Sequence, residues 1–166
     1  LRDTYLFILS DRLLQVCVGS RAQEVDALYK QNGITLEQMT QFPIVTYPVG
    51  SRLRSVMDEY TAQTGRKFHT VFASNRTEVL DALARTDMAG CIIPHQICGT
   101  TLKNNKRQRQ ENRLHIYPID FEGRLQNSTM ALIWHKESAL APYKRYLMDL
   151  IGERFAEYQK FEQRLE

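Results

Sequence analysis

Between Ile44 and Pro94 the chain writes one unit twice: an apolar strand, a small polar corner, an amphipathic helix, then the next strand. Ile44-Val45-Thr46-Tyr47 is a short apolar run of strand type, and Pro48-Val49-Gly50 supplies the turn. Ser51 is a natural N-cap, Leu53, Val56, Met57 and Tyr60 recur at helical spacing, and Gly65 closes the helix. The second copy opens with the strand His69-Thr70-Val71-Phe72-Ala73. Asn75 is expected to cap the next helix, with Glu78 three residues on and Val79, Leu80 and Leu83 as its apolar stripe. Gly90-Cys91-Ile92-Ile93 is a third strand, ended by Pro94. Strand, helix, strand, helix, strand at this spacing means βαβ units and a largely parallel sheet, hence an α/β fold. Ligands of open α/β sheets sit at the carboxyl ends of strands, against helix N-termini. Here those ends are Tyr47 to Ser51 and Ser74 to Arg76.

Outside this core the pattern is looser. Tyr5-Leu6-Phe7-Ile8-Leu9 and Leu13-Leu14-Gln15-Val16-Cys17-Val18 are expected to be two strands parted by Ser10-Asp11. Gly19 to Gly33 is polar, with room for a helical turn or two around Val25-Asp26-Ala27-Leu28. Thr35-Leu36-Glu37-Gln38 has the form of a capping box, and Pro43 stops the helix it starts. The segment 103–113 holds five basic residues, one acid and no aromatic, and is expected to be a solvated loop rather than a single-strand binding surface. Leu114 to Ile119 and Met130 to His135 are expected strands. Pro142 then opens a long helix with Tyr143, Tyr146, Leu147, Leu150 and Ile151 on its apolar face. Past Gly152 its charges alternate, and the last two turns are expected to fray or project.

Composition narrows the function classes. With 166 residues the chain can bury one real core, as one domain or two small lobes. Its longest clean apolar run, Met130 to Trp134, is far short of a membrane span. A net charge of +3 is well below what a DNA-wrapping protein needs. Cys17, Cys91 and Cys98 form neither a CxxC pair nor a Cys/His set, so they are expected to be buried thiols in a reducing compartment. The chain begins Leu1-Arg2-Asp3, without Met and without an apolar signal region, and is expected to be a cytoplasmic fragment.

The two strand-to-helix corners carry the binding chemistry. Gly50-Ser51 and Ser74-Asn75-Arg76 each offer backbone N–H groups, a hydroxyl or amide, and the positive end of a helix dipole. A carboxylate, phosphate or sulfate would fit, and Arg52 or Arg76 would add a charge-assisted bond. Plain helix capping is the competing account of both corners. His69, His95, His115 and His135 stand singly, so no metal site and no cofactor is expected. No nucleophile motif, Gly-rich phosphate loop or carboxylate dyad appears, and Asp58-Glu59 and Asp81 look like solvated helix positions, so no catalytic residue is assigned and the chain is not expected to be an enzyme.

Order and spacing also resemble a known family. The stretch Ile34 to Tyr47, with Leu36, Phe42-Pro43-Ile44 and Tyr47, resembles the approach to the second lobe of LysR-type transcriptional regulators. Gly50-Ser51-Arg52-Leu53 resembles that family's turn into the next helix. Glu78 to Ala84 followed by Gly90-Cys91-Ile92-Ile93-Pro94 resembles its helix and strand, and Leu132-Ile133-Trp134-His135-Lys136 through Pro142 resembles its return to the first lobe.

The resemblance implies an effector-binding domain with the periplasmic-binding-protein-like (type 2) two-lobe fold, one lobe complete and the other partial. By that reading residues 1–19 are the tail of the first lobe and a crossover, 20–119 the second lobe, and 120–166 the return crossover and C-terminal helix. A small anionic effector would bind between the lobes, touching Tyr47, Gly50, Ser51, Ser74, Asn75 and Arg76. It would act on a homodimer or tetramer that reaches DNA only through a winged helix-turn-helix absent from this chain. A solute-binding protein of a transport system is the alternative. Asp87-Met88-Ala89-Gly90 stands where the family has Gly-x-Gly, and the basic segment 103–113 is longer than its counterpart. The truncated first lobe is expected to leave an open sheet edge that pairs with another chain.

Overall fold

The computed structural model describes residues 5–95, 98–107, 113–124 and 141–162. They divide into two compact units, one spanning Asp3–Gln126 and one holding the C-terminal helix. In the first the order is β1 (Tyr5–Ser10), α1 (Asp11–Val18), a 3-10 turn (Gly19–Arg21), α2 (Ala22–Asn32), β2 (Ile34–Thr35) and α3 (Leu36–Met39). There follow β3 (Pro43–Thr46), α4 (Arg52–Thr64), β4 (His69–Ala73), α5 (Thr77–Arg85), β5 (Gly90–Pro94), α6 (Gly99–Arg107) and β6 (Leu114–Asp120).

The strands form one 6-stranded sheet in the order β2-β6-β1-β5-β3-β4. β3 runs parallel to β4 and to β5, and β2 runs parallel to β6. The expected βαβ units are therefore present. One strand departs from the parallel expectation: β1, in the middle of the sheet, is antiparallel to both β5 and β6. Residues 5–10 thus share a sheet with the segment 34–120.

Moving from β3 to β4 and then back past β3 to β5 puts successive crossover helices on opposite faces of the sheet. The two cores show this. Leu53, Val56, Met57 and Tyr60 of α4 pack with Phe7, Leu9, Ile44 and Ile92 on one face. Leu80 and Ala84 of α5 pack with Leu6, Ile8, Val45, Cys91 and Ile93 on the other. Ser51 caps α4 and Gly65 ends it in the left-handed conformation (φ 73°), as the sequence predicts.

Expectations for three segments need correction. Leu13 to Val18 is helix, not strand. Ser10 is its N-cap, accepting from the Leu13 N–H at 3.1 Å, and Asp11 sits at the positive end of the dipole. Leu13 and Leu14 are buried while Val16 is 74% exposed, so cap and packing outweigh the strand preference of an apolar run. α2 is a full helix of 11 residues, polar because Val25 and Tyr29 are the residues it buries. The basic segment begins as helix, since α6 reaches Arg107. The Asn105 side chain fastens α6 to the Leu114 backbone by two hydrogen bonds, of 2.9 and 2.7 Å. Residues 108–112 and the expected strand Met130–His135 lie outside the described residues.

The capping box at Thr35 is present in full. Asp87 takes the left-handed conformation (φ 59°), and Gly90 lies in strand β5. Cys91 and Cys98 are buried and Cys17 is partly exposed. Asp81 is not a solvated carboxylate: it is four-fifths buried and bonded to the Arg85 guanidinium at 2.9 Å. In the second unit α7 (Pro142–Glu162) starts at Pro142 as expected and continues unbroken past Gly152. Tyr143, Tyr146, Leu147 and Leu150 on its apolar side are exposed.

Candidate functional site

β3 and β4 are parallel neighbours, so the corners that follow them open at the same edge of the sheet. They are joined by a hydrogen bond, the Ser74 N–H donating to the Thr46 carbonyl at 2.9 Å. Thr46 itself is fully buried.

In the first corner Ser51 N–H donates to the Pro48 carbonyl at 3.2 Å, closing a four-residue turn with Gly50 third. Gly50 has φ 91°, which only glycine adopts without strain, and a side chain there would meet open space. Ser51 Oγ accepts from the Arg54 N–H at 3.2 Å. The capping account of Ser51 is thus correct as far as it goes. As an acceptor in that bond, the hydroxyl keeps its own proton to donate.

The second corner is built differently from the sequence expectation. Asn75 does not cap. Ser74 Oγ accepts from the Arg76 N–H at 3.0 Å, and the cap position of α5 is Arg76, with no side-chain cap bond. The cap residue of α5 thus gives its first N–H groups no side-chain acceptor, whereas Ser51 gives one to α4. Asn75 and Arg76 are exposed beside them.

Tyr47 links the corners. It leaves β3 at the sheet edge and packs against both cores, so it sits between the two faces. Its hydroxyl is buried, without a well-formed hydrogen bond, beside the side chain of Thr77 at the start of α5. Burial pushes the phenol's pKa up, so this group is a neutral donor.

The sheet order adds two residues that spacing alone does not nominate. The chain leaves β3 toward β4 and leaves β5 toward β6, in opposite directions, and such a reversal is where open α/β sheets hold ligands. His95, just past β5, and Thr77 therefore join the edge. Neither has a local signal: His95 stands alone in sequence, and Thr77 matters only because Tyr47 lies against it. Arg52 is exposed on α4. Among the described residues no group of three His, Cys, Asp or Glu side chains is placed to hold a metal. No helix among them is long and apolar enough to cross a membrane.

Residues 15–156 match the family described as LysR substrate binding domain. Among solved structures the chain is similar to the effector binding domain of QuiR in complex with shikimate, at 11% identity and a TM-score of 0.50. That likeness covers 89% of this chain and 59% of the other, so the chain spans under two thirds of its structural relative. No curated protein matches it. The fold is the periplasmic-binding-protein-like one of that family.

Proposed function

The chain belongs to the LysR substrate-binding domain family, and from that premise we propose that it is the ligand-sensing part of a LysR-type transcription factor. The observation that carries this is the pair of helix N-termini gathered at one sheet edge around Tyr47. Two dipoles of like sign, with Ser51, Ser74, Asn75 and Arg76 beside them, favour a small anion. A carboxylate is the natural class, and the shikimate held by the QuiR domain is of that class. The effector would shift the population between two arrangements by binding one of them better, and a winged helix-turn-helix outside this chain would carry the signal to DNA. Cytoplasmic location and assembly as a homodimer or tetramer belong to the same proposal. The exposed residues Val71 and Phe72 on edge strand β4 support pairing.

Thermal-shift screening of shikimate, sulfate, phosphate and small carboxylates against the chain tests the reading. A binder at a hundred times its Kd raises stability by about 2.7 kcal/mol. Two variants place it. Asn75→Ala is expected to weaken the binder about tenfold, by removing one hydrogen bond, with almost no stability cost because Asn75 is not a cap. Ser51→Ala is expected to lose about 1 kcal/mol of stability as well as affinity. Wild-type affinity in both, measured by calorimetry, would remove the site from this edge.

A further inference from the structure

Away from that edge, His115 of β6 sits with both ring nitrogens against carboxylates. Nδ1 is 2.7 Å from Asp26 Oδ1 of α2, and Nε2 is 3.0 Å from Asp11 Oδ1 of α1. A carboxylate oxygen accepts; each contact is a hydrogen bond only if that ring nitrogen carries a proton. Both are made at once only by the imidazolium.

The two sides are unequal. Asp26 is four-fifths buried and also accepts from the Tyr117 hydroxyl at 2.8 Å and from Lys30 Nζ at 2.6 Å. Burial alone would raise its pKa. The bonds from Lys30 and Tyr117 and the neighbouring His115 charge outweigh that and hold it below the usual carboxylate range. Asp11 is 42% exposed, its other oxygen accepting from Gln15. A further titratable neighbour is Tyr29 of α2, whose ring packs edge-on against Tyr117 and which feels the Arg21 charge. Across the sheet β1 places Leu9 opposite His115. Beside the ring lies a cavity of about 300 Å³ bordered by Leu14, Gln15, Ala22 and Gln23, which gives water a route to it.

We propose that His115 is a proton-operated clasp that fastens α1 to α2 and the sheet. Protonated, the ring bonds both carboxylates. When the proton leaves, the remaining N–H stays with the buried Asp26, and the Nε2 lone pair faces the Asp11 carboxylate. That contact turns from attractive to repulsive, and the start of α1 loosens. The bonding fixes the direction: the clasp is closed while the ring is protonated and opens once it is neutral, so raising the pH loosens it. Asp26 works the other way. Its pKa is held below the usual carboxylate range, so the stability it contributes is lost only on acidification, on the opposite side from the loss of the clasp.

The test is native-state hydrogen exchange on the full chain at about pH 5.5 and about pH 8.5, with α1 protection factors referenced to those of β5. Wild type is expected to lose on the order of tenfold in α1 protection at the higher pH, the lower end for one charge-assisted bond on a half-exposed pair. Asp11→Asn, a surface change that lets the side chain donate to a neutral ring, is expected to abolish the drop. His115→Gln, which cannot titrate, is expected to show none either. Flat wild-type protection, or a drop that survives in Asp11→Asn, overturns the clasp.

Discussion

Phe7→Ala is expected to cost about 4 kcal/mol of unfolding free energy. Phe7 is fully buried in β1, the strand with partners on both sides at the middle of the sheet. Its ring meets the Phe42 ring at a centroid distance of 5.8 Å, beside the segment that leads into β3. Removing it opens a cavity where sheet, α3 and α4 converge, lined by side chains already fixed by their own packing. Denaturant unfolding of the variant should show a lower midpoint with an unchanged slope. A loss below about 1.5 kcal/mol would mean that the site collapses to fill the space, and that the core around β1 is looser than its burial implies.

What the sequence made legible follows from the range of the forces involved. The unit β3-α4-β4-α5-β5 could be read because each of its signals is local: strand runs of four or five residues, a serine cap, a glycine stop, apolar positions one helical turn apart. The capping box at Thr35 and the proline at the head of α7 are local in the same way. Leu13 to Val18 could not be read so. Its composition favours a strand, and the helix depends on Ser10 turning its hydroxyl onto the Leu13 N–H and on Leu13 and Leu14 finding a core. Asn75 failed as a cap for a related reason: Ser74, one residue earlier, closes the turn instead.

The candidate site divides the same way. Gly50 and Ser51 were recognisable from turn and cap chemistry, and both take those turn and cap roles in the structure. Thr77 and His95 depend on the strand order, which no spacing encodes. The position of β1 is the clearest case, because a central antiparallel strand leaves no mark on the crossovers around it. The His115 contacts join residues 89 and 104 positions apart and have no local trace at all.

Gly90→Ala is the second large expected effect, at about 2 to 3 kcal/mol destabilising. Gly90 is not in a conformation reserved for glycine; its constraint is space. A methyl group there would lie 2.5 Å from Phe7 Cζ, 2.6 Å from Leu9 Cδ2 and 2.8 Å from Phe7 Cε2. Real carbons do not approach so closely, and neither neighbour can retreat, since both are fully buried. Gly90 also pairs with Ile44 on β3, so a displaced β5 disturbs the strand that ends at Tyr47 and the corner beyond it. A double-mutant cycle separates this contact from a general cost of substituting a strand glycine. Phe7→Leu shortens the offending ring, so the pair Gly90→Ala with Phe7→Leu is expected to be more stable than the sum of the single effects by 1 kcal/mol or more, roughly the coupling seen between touching residues. Strict additivity would mean that the methyl is accommodated by a shift of β5 along the sheet. In that case the anion affinity proposed for the Tyr47 edge, rather than the core, would register the change.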